Sequence, residues 1–414
     1  MRATTVLRVL LALQHTSVLG FEFDEDGLVI DVAPTFRLPR CGDCGRKLRD
    51  DDVVDSRRRR WRHLDLGGIQ ARLRYEIRRV ACPKCGLHVE QVPWAETGSR
   101  YTRAFENHAA YLAQRTDRTT VGKLLRIAWR TVGGLIRRVV ERHRDEAGDG
   151  LDGLRIIGVD ELSYRRHHEY VTVVVDHSRG VVVWAAEGKN AETLTRFFDA
   201  LGPVRCAKLE AVTIDLSGAY IKAVTQASPQ AKIIFDRFHV QRLAHDAVDE
   251  VRREEVRSAA PADKRELKRT RWALHKNPWN LSPFEERKLT VIQQVNKRLY
   301  RAYLLKETLL AVLDRRQPGV ARKKLAEWLS WAAHSQLPPF VKLARTIRKH
   351  QEGILAYVDM RLTNAVVEGL NGKARTITRR SFGLHSAASL IAMLFLCCGG
   401  ITLPPSHVMP FLTH

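Results

Sequence analysis

At 414 residues the chain is long enough for roughly two to four domains, and a hydrophobic content of 44% excludes wholesale disorder. Its 69 Lys and Arg stand against 46 Asp and Glu, a net charge of +23 that a solvated surface does not need and that repels itself. A polyanion fits that excess, nucleic acid first, and no apolar run of about 18 residues offers a membrane span.

The chain opens on Arg2 and a leucine-rich stretch that superficially fits a secretory leader. Arg8 and Gln14 interrupt the run and no small-residue cleavage site follows, so residues 5–20 are expected to form an amphipathic helix of a folded domain. "FEFDEDGLVIDV" reads as two short strands about an Asp-Gly turn. Cys41 and Cys44, then Cys82 and Cys85, form two CxxC pairs whose glycines and proline allow tight turns around a metal. Four thiolates suit one structural Zn²⁺ in a reducing cytoplasm; a catalytic zinc would need an open coordination position. Cys206, Cys397 and Cys398 read as core residues. Between the pairs, "QARLRYEIRRVA" suggests an inserted hairpin, and "SRRRRWRHLDL" is either a solvated edge strand or a phosphate contact. Residues 1–100 are therefore expected to be a zinc-binding domain.

Residues 101–150 read as helical. "TTVGKLLRIAWRTVGGLIRRVVERHRDE" holds two periodic segments with a break near Ile127 to Arg130. Such a pair is either a packing unit or a DNA-binding helix-turn-helix carrying Arg130, Arg137, Arg138 and Arg142 on its second helix. "DEAGDGLDG" reads as a linker.

From residue 151 the pattern changes. "LRIIGVDEL", "YVTVVVDHSRG" and "VVVWAAEG" are strand candidates, followed by a helix opened by Asn190, the strand "LEAVTID", a helix, and the strand "AKIIFD". Three strands, helix, strand, helix, strand is the order of an RNase H-like mixed α/β core, expected over 151–245 and 356–414. The interval 246–355 shows helical spacing only and reads as an all-helical insertion. Between residues 251 and 320 it carries 17 Lys or Arg against 8 Asp or Glu, a basic face for DNA or a solvated surface.

Two core strands end in carboxylates, Asp160 and Asp215. Asp215 either caps the helix after it or points into a site at the carboxyl end of the sheet. In an RNase H-like sheet the first and fourth strands are neighbours, so the two acids would meet and be held by divalent cations. Glu368 is the candidate third acid, with Asn364 and Asn371 on its face of a helix; alone, it reads as an exposed helix glutamate. Lys373, Arg375, Arg379 and Arg380 follow, placed for backbone phosphates. Asp236 and His239 either shape the site, assist proton transfer or cap a helix. Glu161 and Asp176 are the substitutes if a triad member is misassigned, and Arg165, Arg166, His167 and His168 sit in a hairpin loop within reach of DNA.

"VTIDLSGAYIKAVTQASPQAKIIFDRFHVQRL", "IIGVDEL" and "TNAVVEGLNGKARTITRRSFG" together resemble bacterial insertion-sequence transposases of the ISL-three type. The paired CxxC motifs, the helix pair and the helical insertion extend the resemblance over essentially the whole chain. It implies that Asp160, Asp215 and Glu368 hold two Mg²⁺ or Mn²⁺ ions, that transposon ends are cleaved by water, and that a 3′-hydroxyl then attacks target DNA. It also implies recognition of terminal inverted repeats by the zinc and helix-turn-helix parts. Acting on two ends predicts at least a homodimer on double-stranded DNA, in the bacterial cytoplasm at the nucleoid. Rival readings are a catalytically inactive DNA-binding regulator and a metal-dependent nuclease without strand transfer.

Overall fold

The computed structural model describes residues 3–165, 169–362, 365–381 and 386–405. It divides into two compact units, one holding residues up to Gly148 together with those from Phe395 onward, the other Asp149–Leu394.

In the first unit, α1 (Ala3–Leu11) is followed by β1 (Thr16–Asp24), β2 (Gly27–Pro34), β3 (Val53–Arg62), β4 (Ala71–Cys82) and β5 (Gly86–Val89). The single helix expected over 5–20 is thus corrected. It stops at Leu11 because Ala12 and His15 take left-handed backbone (φ 47° and 51°), after which Thr16–Asp24 is strand. β1 and β2 form the expected hairpin, with Asp24 opposite Gly27. The sheet order is β1-β2-β4-β3, with β5 on β4. The arginine-rich β3 is an edge strand whose Arg57, Arg58 and Arg60 are exposed, while Trp61 is buried against Trp94 and Leu73.

Three helices complete this unit: α2 (Arg103–Ala113), α3 (Arg118–Leu125) and α4 (Trp129–Ala147). Thr102 caps α2 by accepting from the Phe105 N–H, and Asp117 caps α3 by accepting from Thr119 and Thr120. Arg126 then turns left-handed (φ 55°) and the chain re-enters a helix at Trp129. The close approach needs Gly122, where a Cβ would lie 2.8 Å from the Ile127 carbonyl oxygen. Val121, Leu125, Val132, Leu135 and Ile136 are buried, which makes the pair a packed unit with α2 beneath it.

The second unit starts with β6 (Ile156–Arg165), β7 (Glu169–Asp176) and β8 (Val181–Glu187), an antiparallel meander. Helices α5 (Ala191–Leu201) and α6 (Pro203–Cys206), strand β9 (Ala211–Ile214), helix α7 (Gly218–Ala227) and strand β10 (Lys232–Phe235) follow. The order is β10-β9-β6-β7-β8, with β9 parallel to both β6 and β10. This is the RNase H-like arrangement, and all four side chains of β9 are buried because neighbours cover both faces.

After β10 the described residues are helical or irregular: α8 (Arg237–Ser258), α9 (Pro261–Leu267), α10 (Arg271–His275), α11 (Pro283–Val295), α12 (Lys297–Leu313), α13 (Pro318–Ala333), α14 (Pro338–Lys349) and α15 (Gln351–Met360). They share one apolar core with the sheet, Leu305, Trp328 and Phe340 belonging to the same cluster as Val174 and Ile214. α15 lies directly on β10, since a Cβ on Gly353 would stand 2.5 Å from the Phe235 ring. Helices α16 (Ala365–Arg380) and α17 (Ala387–Cys398) end the fold.

Candidate active site and zinc centre

The parallel registers set up the acid cluster. Gly158 pairs with Thr213 and Ile214 with Phe235, so Asp160 and Asp215 each follow their paired residue by two positions. Asp236 stands one residue past β10, as Asp215 stands one past β9. Three neighbouring parallel strands therefore bring an aspartate to the carboxyl edge of the sheet, where α/β folds place their chemistry. Asp215 is not the cap of α7, because Ser217 occupies that position. Asp236 does cap α8, accepting from the Phe238 N–H at 3.3 Å.

One turn into α8, His239 Nδ1 stands 2.8 Å from Asp215 Oδ1 and 3.7 Å from Asp236 Oδ2. The hydrogen bond to Asp215, and then the Asp236 carboxylate beside it, hold this imidazole protonated, with its pKa raised to about 10. One ligand atom from each of the three lies within 4.8 Å of the others. Asp160 accepts from the Glu161 N–H at 2.6 Å and from the Asn371 amide. Burial, and then the neighbouring Asp215 charge, push its carboxyl up to about 6. Glu368 is likewise raised, by burial and then by Asp236.

Glu368 and Asn371 lie on α16, which seats on β6 at Gly158. A single cleft of about 600 Å³ is lined by Asp160, Asp215, Asp236, Glu368, His239 and Asn371. Arg242 and Arg375 line it as well, two cations where a phosphodiester would enter. Of the other residues singled out in the sequence, Glu161 lines the cleft and is hydrogen-bonded by Tyr220. Asp176 is buried in the turn after β7, accepting from Ser178 N–H at 2.7 Å. Lys373 and Arg379 are exposed on α16 and Arg380 is half-buried. Asn364, Arg166, His167 and His168 lie outside the described residues, as does the Arg165 side chain.

Sequence reasoning missed Arg242, Tyr170 and Phe238 as lining residues and the hydrogen bond from Asn371 to Asp160. A four-residue step from Phe238 to Arg242 along α8 was the available signal for that pair. Nothing local announces Tyr170.

The first unit brings Cys41, Cys44, Cys82 and Cys85 together, their sulfurs all within 4.8 Å and Cys44 Sγ 3.8 Å from Cys82 Sγ. A tetrahedron with Zn–S of about 2.3 Å has S···S edges of about 3.8 Å, so the set fits zinc. The thiols already differ: the Lys84 N–H draws Cys82 down to about 7, whereas Asp43 and Cys44 push Cys85 up. Cys206 and Cys398 are buried and Cys397 is half-buried.

With this geometry in place, comparison with known families is decisive. Residues 157–394 match the family described as "Transposase", of the ISL3 group with an acidic catalytic domain. The chain belongs to the ISL3 transposases. Residues 90–140 of this transposase match the helix-turn-helix domain of transposase family ISL3, and residues 37–85 the zinc-finger of transposases IS204, IS1001, IS1096 and IS1165. The transposase is 39% identical to the transposase for insertion sequence element IS1557 of Mycobacterium tuberculosis over 448 aligned positions, covering all of both chains. It is 29% identical to the transposase for IS1001 of Bordetella parapertussis over 381 positions, covering 89% of this chain and 92% of that one. The protein is therefore a DNA transposase with a DNA-binding helix-turn-helix, a structural zinc site and an acid site for divalent metal ions. Within the helix-turn-helix, Arg130 and Arg137 are exposed. Arg138 and Arg142 instead reach the buried Glu106, at 2.8 and 3.2 Å.

Proposed function

We propose that this transposase binds the terminal inverted repeats of its insertion sequence, cleaves the element's ends by hydrolysis and joins the freed 3′-hydroxyls to target DNA. The observation that carries this is the convergence of Asp160, Asp215 and Glu368, from β6, β9 and α16, on one cleft rimmed by Arg242 and Arg375. These three acids would hold two Mg²⁺ or Mn²⁺ ions, hard cations suited to oxygen ligands, and bound metal would supply charge neutralisation to the in-line displacement at phosphorus. Asn371 fixes Asp160 by donating to one carboxylate oxygen while the Glu161 N–H holds the other. Arg375 and Arg242 place the phosphodiester over the acids, with Lys373, Arg379 and Arg380 extending that contact along the strand. Asp236 and His239 are positioning groups for Asp215, His239 carrying the proton that balances the two aspartates.

In this reading residues 1–100 with the four-cysteine zinc and 101–150 with Arg130 and Arg137 recognise the ends. Residues 151–245 and 356–414 form the core, and 246–355 the insertion. Two ends require two active sites, so the working species is a homodimer or larger on DNA. Among the described residues no helix is long and apolar enough to cross a membrane, in keeping with action on nucleoid DNA in the bacterial cytoplasm.

The test is incubation of the purified protein with labelled DNA carrying the element's ends, with Mg²⁺ or Mn²⁺, beside Asp215→Ala. End cleavage by the native protein alone, followed by joining of a pre-cut end to target DNA, is the expected result. Specific binding with no cleavage would leave a regulator, and cleavage with no joining a nuclease.

A further inference from the structure

The N-terminal sheet ends on β1 at one side and on β3 at the other, and the two edges differ in kind. β3 exposes Arg57, Arg58 and Arg60, which would repel a second copy of the same edge. β1 carries no lysine, arginine or proline, the residues by which natural sheets protect an edge. Instead its Leu19, Phe21 and Phe23 are 65%, 43% and 65% exposed, and α1, which packs against β1, leaves Val9 and Leu10 exposed. In a chain of net charge +23, two copies can approach only over a surface free of unmatched cations, and β1 is such a surface.

The backbone of that edge is open to another strand. Leu28 donates its N–H to the Gln70 carbonyl at 2.8 Å, on the β4 side of β2. Phe23 lies opposite Leu28, so the Phe23 backbone turns away from β2, and at the strand period of two so does that of Phe21, opposite Ile30. The N–H and C=O groups of both phenylalanines therefore point past the edge of the sheet. The acids between them are already matched, Glu22 to Arg74 at 2.5 Å and Asp24 to Arg60 at 2.8 Å. The bulge between Val18 and Gly20 leaves residues 20–24 in regular register.

We propose that β1 pairs antiparallel with β1 of a second copy of this chain, about a two-fold axis at Phe21, joining two N-terminal sheets into one. Charge sets the register. An axis at Glu22 would bring two Glu22 side chains directly opposite each other, which is destabilising. An axis at Phe21 makes the two Phe21 residues a hydrogen-bonded pair and sets each Phe23 opposite Leu19 and each Glu22 opposite Gly20. This is the self-complementarity that a two-fold interface requires. Both arginine-rich β3 edges then lie at the outer ends of the joined sheet, free for DNA. One short strand per copy buries less than the ~800 Å² per partner of stable complexes, so the dimer is weak in the absence of DNA. The inference rests on the reading that two ends need two active sites, and it names the surface through which the copies meet.

The experiment is sedimentation of the zinc-loaded full chain, without DNA, Mg²⁺ or Mn²⁺, over about 1–100 µM, the range a small interface calls for. The native protein is expected to shift from monomer toward dimer across that range. Phe21→Pro removes an outward N–H and no bond to β2, and Phe23→Lys places a cation on the edge. Each should weaken the dimer by about tenfold or more. With p-benzoylphenylalanine in place of Phe21, light should give a covalent dimer whose adduct maps to residues 19–23 of the second copy, a readout that does not depend on either variant folding. A monomer at every concentration, a dimer undiminished in both variants, or an adduct elsewhere on the second copy would overturn the proposal. Because DNA and divalent metal are absent, loss of the dimer leaves the cleavage reading standing, and failure of cleavage leaves the dimer standing.

Discussion

Val367 rests directly on Gly158: a Cβ placed on that glycine would stand 2.3 Å from Val367 Cγ2, 2.9 Å from His177 Nε2 and 3.0 Å from Thr213 Oγ1. The contact sits two residues before Asp160 and one before Glu368, so it sets how far the third acid stands from the first two. Gly158→Ala has no room and must push α16 off the sheet, at a cost of about 1–3 kcal/mol. The expected outcome is a modest drop in thermal stability with a far larger loss of end cleavage. Gly158→Ala with Val367→Ala, which removes the clashing methyl, should recover part of the cleavage. Thermal unfolding and cleavage assays on the two variants check this, and no recovery in the double variant would refute it.

Asn371 is the residue whose removal should separate metal affinity from folding. It is buried and donates to one oxygen of Asp160, while the Glu161 N–H holds the other. Asn371→Ala is expected to weaken Mn²⁺ or Mg²⁺ dependence by about 10–100-fold, as losses of groups that orient metal ligands do. DNA binding in the absence of divalent cations should be unchanged. Titration of cleavage against metal concentration reads this directly; an unchanged half-saturating concentration would place Asn371 outside the site.

What could be read in the sequence divides along physical lines. The strands and helices of the core were legible because β-branched runs alternate with helical periods and end at polar turns, as "LEAVTID" and "GAYIKAVTQAS" do. The register that aligns Asp160 with Asp215 was not, since hydrogen-bond pairing between β6 and β9 leaves no local trace and only analogy with the RNase H-like order of elements supplied the strand neighbours. Near the N-terminus, the leucine-rich run hid the first half of β1, residues 16–20, whereas its second half was read as strand. Its apolar Leu19, Phe21 and Phe23 face outward while Glu22 pairs with Arg74, so the alternation is inverted relative to a core-facing strand. The tie between His239 and Asp215 was also invisible, because it crosses from β9 to α8 through the parallel pairing of β10.

The N-terminal unit should weaken in mild acid because of His63. This side chain is buried against Thr102, the cap of α2, and burial draws its pKa down to about 4. An unfolded histidine titrates near 6.5, so between about pH 6.5 and 4 the unfolded chain binds the proton and the folded one does not. The stabilisation is complete above pH 6.5 and is lost as pH falls through 4, an effect of at most about 3 kcal/mol. Thermal unfolding at pH 7 and pH 5 should show a drop for the native protein that is smaller in His63→Gln. Zinc release also contributes in acid, but equally in both proteins, so an identical drop in the two would remove His63 as a cause.

The four arginines that the sequence places on α4, for DNA contact or for packing, should split into two pairs. Arg130 and Arg137 are exposed, and each alanine replacement is expected to weaken binding to the element's ends and to lower the salt slope by about one. Arg142 is a different case. It is 12% exposed and spans Glu106, Glu96 and Asn107, and Glu106 is buried completely. Arg142→Ala leaves that carboxylate with Arg138 and Ser99 as its remaining partners, which should destabilise the fold by about 1–3 kcal/mol. Arg138→Ala should cost less, since Arg142 keeps Glu106 paired. The discriminating variant is Arg142→Ala with Glu106→Gln, which removes the buried charge that has lost one of its two cations and should restore part of the stability without touching the salt slope. Should Arg142→Ala instead lower the slope as Arg130→Ala does, with no change in thermal unfolding, the whole basic face of α4 would belong to the DNA contact.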